Sequence, residues 1–454
     1  MSGPRNPPYP LPRPAEVLLF DFRPAPAQRP SIQADRPIKL VQWNIERGYK
    51  LDAVIQVLRE LDADVLALQE IDIHCERSGW EDTGLAIAKA LGLSYAFVCE
   101  FEELHSPLRS ADTQGGGVHG NAILSKYDIT DVRAIEHRAH PVDWDLSPEQ
   151  QPHPLARKEP RHGRRLTAAA TVHTHQGPLL VYSAHLECFC GALARMAQLS
   201  DLFRDTRLQQ QQLQARAQQP QELDVQRPPP RTQPPFGKAD MPPDLTEPQA
   251  PASPALPAPA LKPSSLANPP PASPSPSACG DILAPQPPPP TTPPSDCPGV
   301  ATPPQPRVGA PGAVLRAALM GDLNTLANGV ARLSPHYCTD HLRWGSLGWF
   351  EAELLDKKVL GVKDPEPINT WAVRQGLPEA TCRDLVNPGY EDPFNARTDI
   401  TIDHPKYRWM GHSFMTGKLD WVLLRGCRVL SHRMGNEDYS ASDHKWLQVE
   451  VQLL

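Results

Sequence analysis

The sequence lacks several features that would point to other classes of protein. Its nine cysteines contain no CxxC pair, so neither a zinc module nor a paired-cysteine framework is indicated. Cys188 and Cys190 stand too close together for an ordinary bridge along one strand or turn. A reducing intracellular compartment, cytoplasmic or nuclear, is therefore expected. No stretch approaches the roughly 18 apolar residues of a membrane span, and MSGPRNPPYPLPRP at the N-terminus has no apolar signal core. Basic residues are not in excess: the net charge is −7 and the pI about 6.1, which argues against tight non-specific nucleic-acid binding. The triplet Gly115-Gly116-Gly117 is followed by VHGNAILS, without the GK[ST] of a phosphate-binding P-loop. No internal repeat is visible.

Proline, by contrast, is abundant. More than half of the 55 prolines fall between about residues 218 and 312, in a Pro/Ala/Ser/Gln-rich tract with few aromatics. Such a tract cannot bury enough apolar surface to offset its ordering entropy. Residues 206–312 are thus expected to be a disordered or partly polyproline-II insertion, open to SH3- or WW-type partners. Residues 1–36 are read in the same way, as a disordered Pro-rich lead-in. The parts expected to fold are 37–205 and 313–454, two halves of one domain; a monomer is expected.

Within these halves the apolar pattern predicts many strands and few long helices. IKLVQWNI (38–45), VLALQE (65–70), SYAFVCEF, NAILSKY, RRLTAAATVHT and LLVYSAHL read as strands, as do VLRAALMGDL (314–323), KLDWVLLRG and KWLQVEVQLL. Helical spacing marks LDAVIQVLREL (51–61), TGLAIAKALG (83–92, with glycine closing the helix) and a run near 192–208. Residues 341–415 are expected to be loops with short helices. Many β-runs interrupted by one insertion imply two packed sheets with helices outside.

Polar residues recur where these apolar strands end: Asn44, Glu70, His185, Asp322, Asn324, Asp420, Asp443 and His444. Singly, each has an ordinary reading as a cap, a turn residue, a surface carboxylate or a core histidine. Together they supply hard oxygen donors suited to Mg²⁺ or Mn²⁺, and imidazoles able to carry protons near neutral pH. That combination fits metal-assisted cleavage of a phosphate ester.

The ordered series QWNIE, LALQEID, GNAILSK, YSAHLE, MGDLN, LDW and SASDH resembles the motif series of the endonuclease/exonuclease/phosphatase (DNase-I-like) superfamily, over about residues 37–205 and 312–454. The resemblance implies a four-layer α/β sandwich, two mostly antiparallel sheets with helices outside, and Mg²⁺-dependent phosphoester hydrolysis by in-line attack of water. It implies that Glu70, with Asn44 beside it and Asp443 nearby, holds the metal. It makes Asp322 the residue that orients or deprotonates the attacking water and Asn324 the holder of a phosphate oxygen. His444, oriented by Asp420, would contact the scissile phosphate, and His185 would serve as acid to the leaving oxygen, as in the DNase-like branch. Asn121, Arg164 and Arg165 are candidate substrate contacts. His119 reads as a loop histidine. Nucleic acid is slightly favoured over a phosphoinositide or a sphingomyelin-type headgroup; MGDLNTLANG departs from the inositol-phosphatase signature. A non-catalytic scaffold docking partners through the insertion is the alternative of another class.

Overall fold

The computed structural model describes residues 7, 9–28, 33–152, 154–218, 314–325, 334, 336–342, 351–362 and 371–454. All of these lie in one compact unit formed by residues 1–235 and 312–454. In chain order the first half contains β1 (Val17–Asp21), β2 (Ile38–Asn44), α1 (Leu51–Leu61), β3 (Val65–Ile73), α2 (Thr83–Leu91), β4 (Ser94–Glu103), β5 (Val118–Ser125) and β6 (Asp128–Glu136). It continues with α3 (Pro154–Lys158), β7 (Arg161–Gly163), β8 (Leu166–Thr174), β9 (Gly177–His185) and α4 (Ala192–Gln218). The second half supplies β10 (Ala317–Asp322), a small hairpin of β11 (Arg408–Trp409) and β12 (His412–Ser413), then β13 (Asp420–Arg425), β14 (Cys427–Gly435) and β15 (Trp446–Leu453).

The strands form two large sheets. One has the order β1-β4-β5-β3-β2-β15-β14, with β7 added against β4; the other runs β13-β10-β9-β8-β6. Among the described residues only the pairs β2–β3 and β9–β10 are parallel, as a mostly antiparallel sandwich requires. Alternation decides what each face buries. Ile38 and Leu40 of β2, Val65 and Ala67 of β3, and Val98 of β4 meet Val172, Val181, Met320 and Val422 of the other sheet in one inter-sheet core. The opposite parity, including Val41, Leu66, Leu68, Tyr95 and Phe97, packs under α1 and α2. Tyr182, Leu319 and Trp421 pack under α4 and the short helix Glu351–Leu355. These three cores account for the four layers expected from the sequence.

The helices obey their local signals. α1 buries Val54, Leu58 and Leu61, each worth roughly 1.5–3 kcal/mol when removed from water. Asp82 caps α2 by accepting a hydrogen bond from Leu85 N at 2.8 Å, and Gly92 closes it in the left-handed conformation, φ +64°.

Two sequence expectations need correction. Residues 1–36 are not wholly a loose lead-in: β1 pairs antiparallel with β4 from Val17↔Val98 to Asp21↔Ser94. Leu18, Phe20 and Phe22 explain this, since they pack with Tyr9 and Leu11 onto the core beneath α1 and α2. α4 also runs on to Gln218, past the expected start of the insertion at 206. The Gln-rich stretch continues the helix because straight-chain residues lose little freedom there. The insertion from residue 219 to 313, with its expected SH3/WW-type partners, lies outside the described residues.

Candidate active site

The site arises where the inter-sheet layer changes from apolar to polar. On β2 the inward series Ile38, Leu40 continues as Gln42 and Asn44. On β3 Val65 and Ala67 lead to Gln69, and on β9 Leu179 and Val181 lead to Ser183 and His185. On β10 Ala318 and Met320 lead to Asp322, and on β13 Asp420 precedes Val422 and Leu424. All these polar groups are buried, so each must find a partner. They find one another. Gln42 Nε2 donates to Gln69 Oε1 and to Asp420 Oδ1, both at 2.8 Å, and Gln69 Nε2 donates to Ser183 Oγ at 2.9 Å. A rigid polar floor results, with Asp420 fixed to it.

Above this floor Asp420 Oδ2 lies 2.8 Å from His444 Nδ1. Burial opposes charge on His444, yet the carboxylates of Asp420, Asp322 and Asp443 outweigh it and hold its pKa well above the usual imidazole range. Asp322 stands at the centre. Its Oδ2 is 3.0 Å from Asn44 Nδ2, 3.5 Å from His185 Nε2 and 3.8 Å from His444 Nε2. Its Oδ1 accepts the Asn324 backbone N–H at 2.8 Å. Burial pushes the Asp322 carboxyl up to about 7, with Asp420 adding to the shift and His444 opposing it. Register sets the spacing: Asp322 is opposite His185 on one side and Asp420 on the other.

Four left-handed non-glycine residues lie here. Glu70 has φ +60° and Asn324 φ +50°, as do Glu46 (+48°) and Arg47 (+60°) in the turn after Asn44; such left-handed non-glycine residues persist only where surroundings enforce them. At Glu70 the cause is visible: β3 loses register with β5 between Leu68 and Ile71. This bulge turns the carboxylate toward the site, where Asn44 Nδ2 reaches Glu70 Oε1 at 3.3 Å and Arg47 lies 3.6 Å from Oε2. Burial would raise its pKa, but Arg47, His185, His119 and Arg165 hold it well below the usual carboxylate range.

The expected residues are mostly brought together. Asn44, Glu70, His185, Asp322, Asn324, Asp420 and His444 share the polar end of the sandwich, and Asp443 lies at its rim, 4.0 Å from His444 Nε2. Asn44 bridges two carboxylates through Nδ2 while its Oδ1 accepts from Glu46 N at 3.1 Å. Arg165 is buried and donates from NH1 to Glu100 Oε2 at 2.9 Å and to His185 Nδ1 at 3.0 Å. Asn121 is buried, with Nδ2 on Leu166 O and Oδ1 without a partner among the described residues. Arg164 is the exception: one residue out of phase with Arg165, it points outward and pairs with exposed Asp145 at 3.2 Å. His119 is not on a loop but within β5, and is buried.

Sequence reasoning passed over Glu46, Arg47 and Lys406. Glu46 Oε2 accepts the Asp443 N–H at 3.1 Å, and Lys406 Nζ sits 2.7 Å from Glu46 Oε1 and 2.9 Å from Asp443 Oδ2. Glu46 and Arg47 directly follow QWNI, which was the available signal; Lys406 carried none.

A divalent cation suits this donor set. Glu70, Asp322, Asp443 and Glu46 offer hard carboxylate oxygens, and Asp322, Asp420 and His444 place one ligand atom each within 4.8 Å of one another. The Lys406 ammonium already rests between two of the carboxylates, which shows the rim to be a cation-attracting place.

The model of the Endonuclease/Exonuclease/phosphatase family matches residues 41–444. The chain belongs to this family. Its members are phosphoesterases, and divalent-metal dependence is general among them. No curated protein matches the sequence. Among solved structures, the chain is similar to an endonuclease/exonuclease/phosphatase from Beutenbergia cavernae at 13% identity, covering 92% of this chain and 72% of that one, TM-score 0.37. It is similar to the human Nocturnin catalytic domain with bound sulfate anion at 12% identity, covering 97% of each chain, TM-score 0.39. TDP2 from Caenorhabditis elegans gives 12% identity, covering 91% of this chain and 74% of that one, TM-score 0.38.

Proposed function

We propose that this family member is a Mg²⁺- or Mn²⁺-dependent hydrolase that cleaves a phosphodiester or phosphomonoester by in-line attack of water, with nucleic acid as the favoured substrate. The observation that carries the reading is the convergence on Asp322: one buried carboxylate faces an amide and two imidazoles within 3.0–3.8 Å.

The roles are those that the family resemblance implies, and the geometry supports them. Glu70 and Asp443 hold the cation, with Asn44 aligning Glu70. The bound ion supplies charge to the non-bridging oxygens of the ester. Asp322, with its raised pKa, is matched to take a proton from water near neutral pH. His444, kept cationic by Asp420, donates from Nε2 to a phosphoryl oxygen. Asn324, anchored through Nδ2 to Leu186 O at 2.9 Å, borders the same space. His185 is buried beside Arg165, and both effects depress its pKa well below the usual range. Its Nδ1 accepts from Arg165, so Nε2 carries the proton. It therefore steadies the leaving oxygen as a neutral donor. Support for a nucleic acid comes from the β11–β12 hairpin: Trp409 is 70% exposed, and the neighbouring Tyr407 reaches Asp443 at 3.3 Å. An exposed aromatic two residues along the chain from Tyr407 suits base stacking. Among the described residues no helix is long and apolar enough to cross a membrane.

The test is hydrolysis in Mg²⁺ buffer of single- and double-stranded DNA, poly(A)-tailed RNA, phosphoinositides, sphingomyelin and bis-p-nitrophenyl phosphate. Asp322→Asn and His185→Ala run alongside. Metal-dependent cleavage lost in both variants supports the reading, and the cleaved member names the substrate class. A folded wild type inert on all of them contradicts it.

A further inference from the structure

We propose that His119 is a further substrate-contacting residue, whose Nε2 donates to a phosphoryl oxygen on the His185 side of the site. This rests on the reading that the site binds a phosphate ester. The parity of β5 places the side chain: Ile123 lies in the inter-sheet core, so Asn121 and His119 follow it inward toward the polar end. Across the sheet His119 is opposite Asp72 on β3 and Phe101 on β4. Both neighbours fix the ring. Asp72 Oδ1 lies 2.8 Å from Nδ1, and Phe101 stacks on the imidazole with centroids 4.9 Å apart. Asp72 is itself held by the Arg77 fork at 2.7 and 2.9 Å. The site thus contains a second Asp–His pair with the same Nδ1 geometry as Asp420–His444.

What distinguishes His119 is its other nitrogen. The ring is 1% exposed, yet among the described residues Nε2 has no hydrogen-bond partner. Two other histidines, away from the site, are satisfied at both nitrogens. His175 pairs through Nδ1 with Tyr127 Oη at 2.7 Å and through Nε2 with Arg36 O at 2.7 Å. His137 reaches Gln198 O at 3.1 Å and Thr167 Oγ1 at 3.3 Å. A buried ring held by a carboxylate at one nitrogen and open at the other presents a fixed polar edge to a ligand.

The neighbours say which ligand. Glu100, His119 and His185 place one ligand atom each within 4.8 Å of one another, a grouping that resembles a metal site. Arg165 NH1, however, already binds Glu100 and His185 at 2.9 and 3.0 Å. A metal ion here would face the guanidinium charge. The guanidinium that holds Glu100 and His185, with the open Nε2 of His119 in the same grouping, instead favours an anion. With Asp72 held at Nδ1, Nε2 is the ring atom left to meet a phosphoryl oxygen.

The probe is inorganic phosphate, titrated in Mg²⁺ buffer into full-length protein labelled with ¹⁵N-histidine. Phosphate should move the His119 Nε2 resonance in the wild type. Calorimetry should show binding weakened about tenfold or more in His119→Leu and less in His119→Gln, which keeps a donor. Phosphate that leaves the wild-type His119 resonance unmoved, or that binds folded His119→Leu as tightly as wild type, overturns the proposal. The wild-type resonance decides the matter even if a variant fails to fold. Should phosphate engage His119 while no ester is cleaved, the hydrolase reading fails and this one stands.

Discussion

Lys418 offers a sharp test of how the site is supported. Its side chain is fully buried, bonded to Asp392 and 3.2 Å from Phe394 O, with Nζ 4.1 Å from the Trp421 ring centroid. It stands two residues before Asp420, and its own carbonyl accepts from Thr325 next to Asn324. Burial pulls both partners toward neutrality, lowering the Lys418 pKa and raising that of Asp392, so desolvation offsets much of the attraction. Removing one partner is therefore worse than removing both. Asp392→Ala leaves an uncompensated buried ammonium and also takes away the acceptor for Phe394 N, 3.0 Å from Oδ1. The expected loss is about 3–5 kcal/mol. Lys418→Met with Asp392→Asn removes both charges and keeps that acceptor, and should lie within about 1–2 kcal/mol of wild type. Urea unfolding at constant slope measures each value. A single-variant loss below about 1 kcal/mol, or a double variant as unstable as the single, would refute the reasoning.

Other outcomes follow from particular contacts. Asp420→Asn should lower hydrolysis by about 10²–10⁴-fold at pH 7 with little change in melting temperature, because His444 loses the charge that keeps it cationic; steady-state kinetics on a cleaved ester checks this. In Gly321→Ala a Cβ would lie 2.1 Å from Ala184 O, forcing β10 away from β9. Stability should fall by about 1–3 kcal/mol, and activity should fall further because Asp322 moves from His185. Asp82 is buried with its pKa raised from 3.8 to about 6. Its folded form binds the proton more tightly than the unfolded chain, so its contribution to stability declines as pH rises from 4 to 6, by roughly 3 kcal/mol in all. Asp82→Asn keeps the cap of α2 and should lack this contribution, so the stability difference between wild type and variant should change by roughly 3 kcal/mol across that window, measured by melting at each pH.

The fold was readable because alternation and helical spacing are local. Ile38–Asn44, Leu51–Leu61 and Thr83–Leu91 stand where their apolar periods put them. Strand-end polar residues such as Asn44, Asp322 and His185 were legible for the same reason, since each continues an inward-facing series. What stayed hidden depends on partners far along the chain. β1 needed the apolar face provided by β4, and Lys406 meets Glu46 only through tertiary folding. His119 looked like a loop residue because three glycines precede it, while the strand that includes it is set by pairing with Asp72 and Phe101. Arg164 and Arg165 are adjacent in sequence, and only the phase of the chain entering β8 decides which one turns inward.

The most direct measurement is hydrolysis of bis-p-nitrophenyl phosphate by purified full-length protein, in EDTA and then with Mg²⁺ restored, for wild type and Asp322→Asn. The account predicts turnover that is absent in EDTA, returns with Mg²⁺ and falls by at least about 10²-fold in the variant. Turnover that persists in EDTA, or that survives unchanged in folded Asp322→Asn, would contradict it.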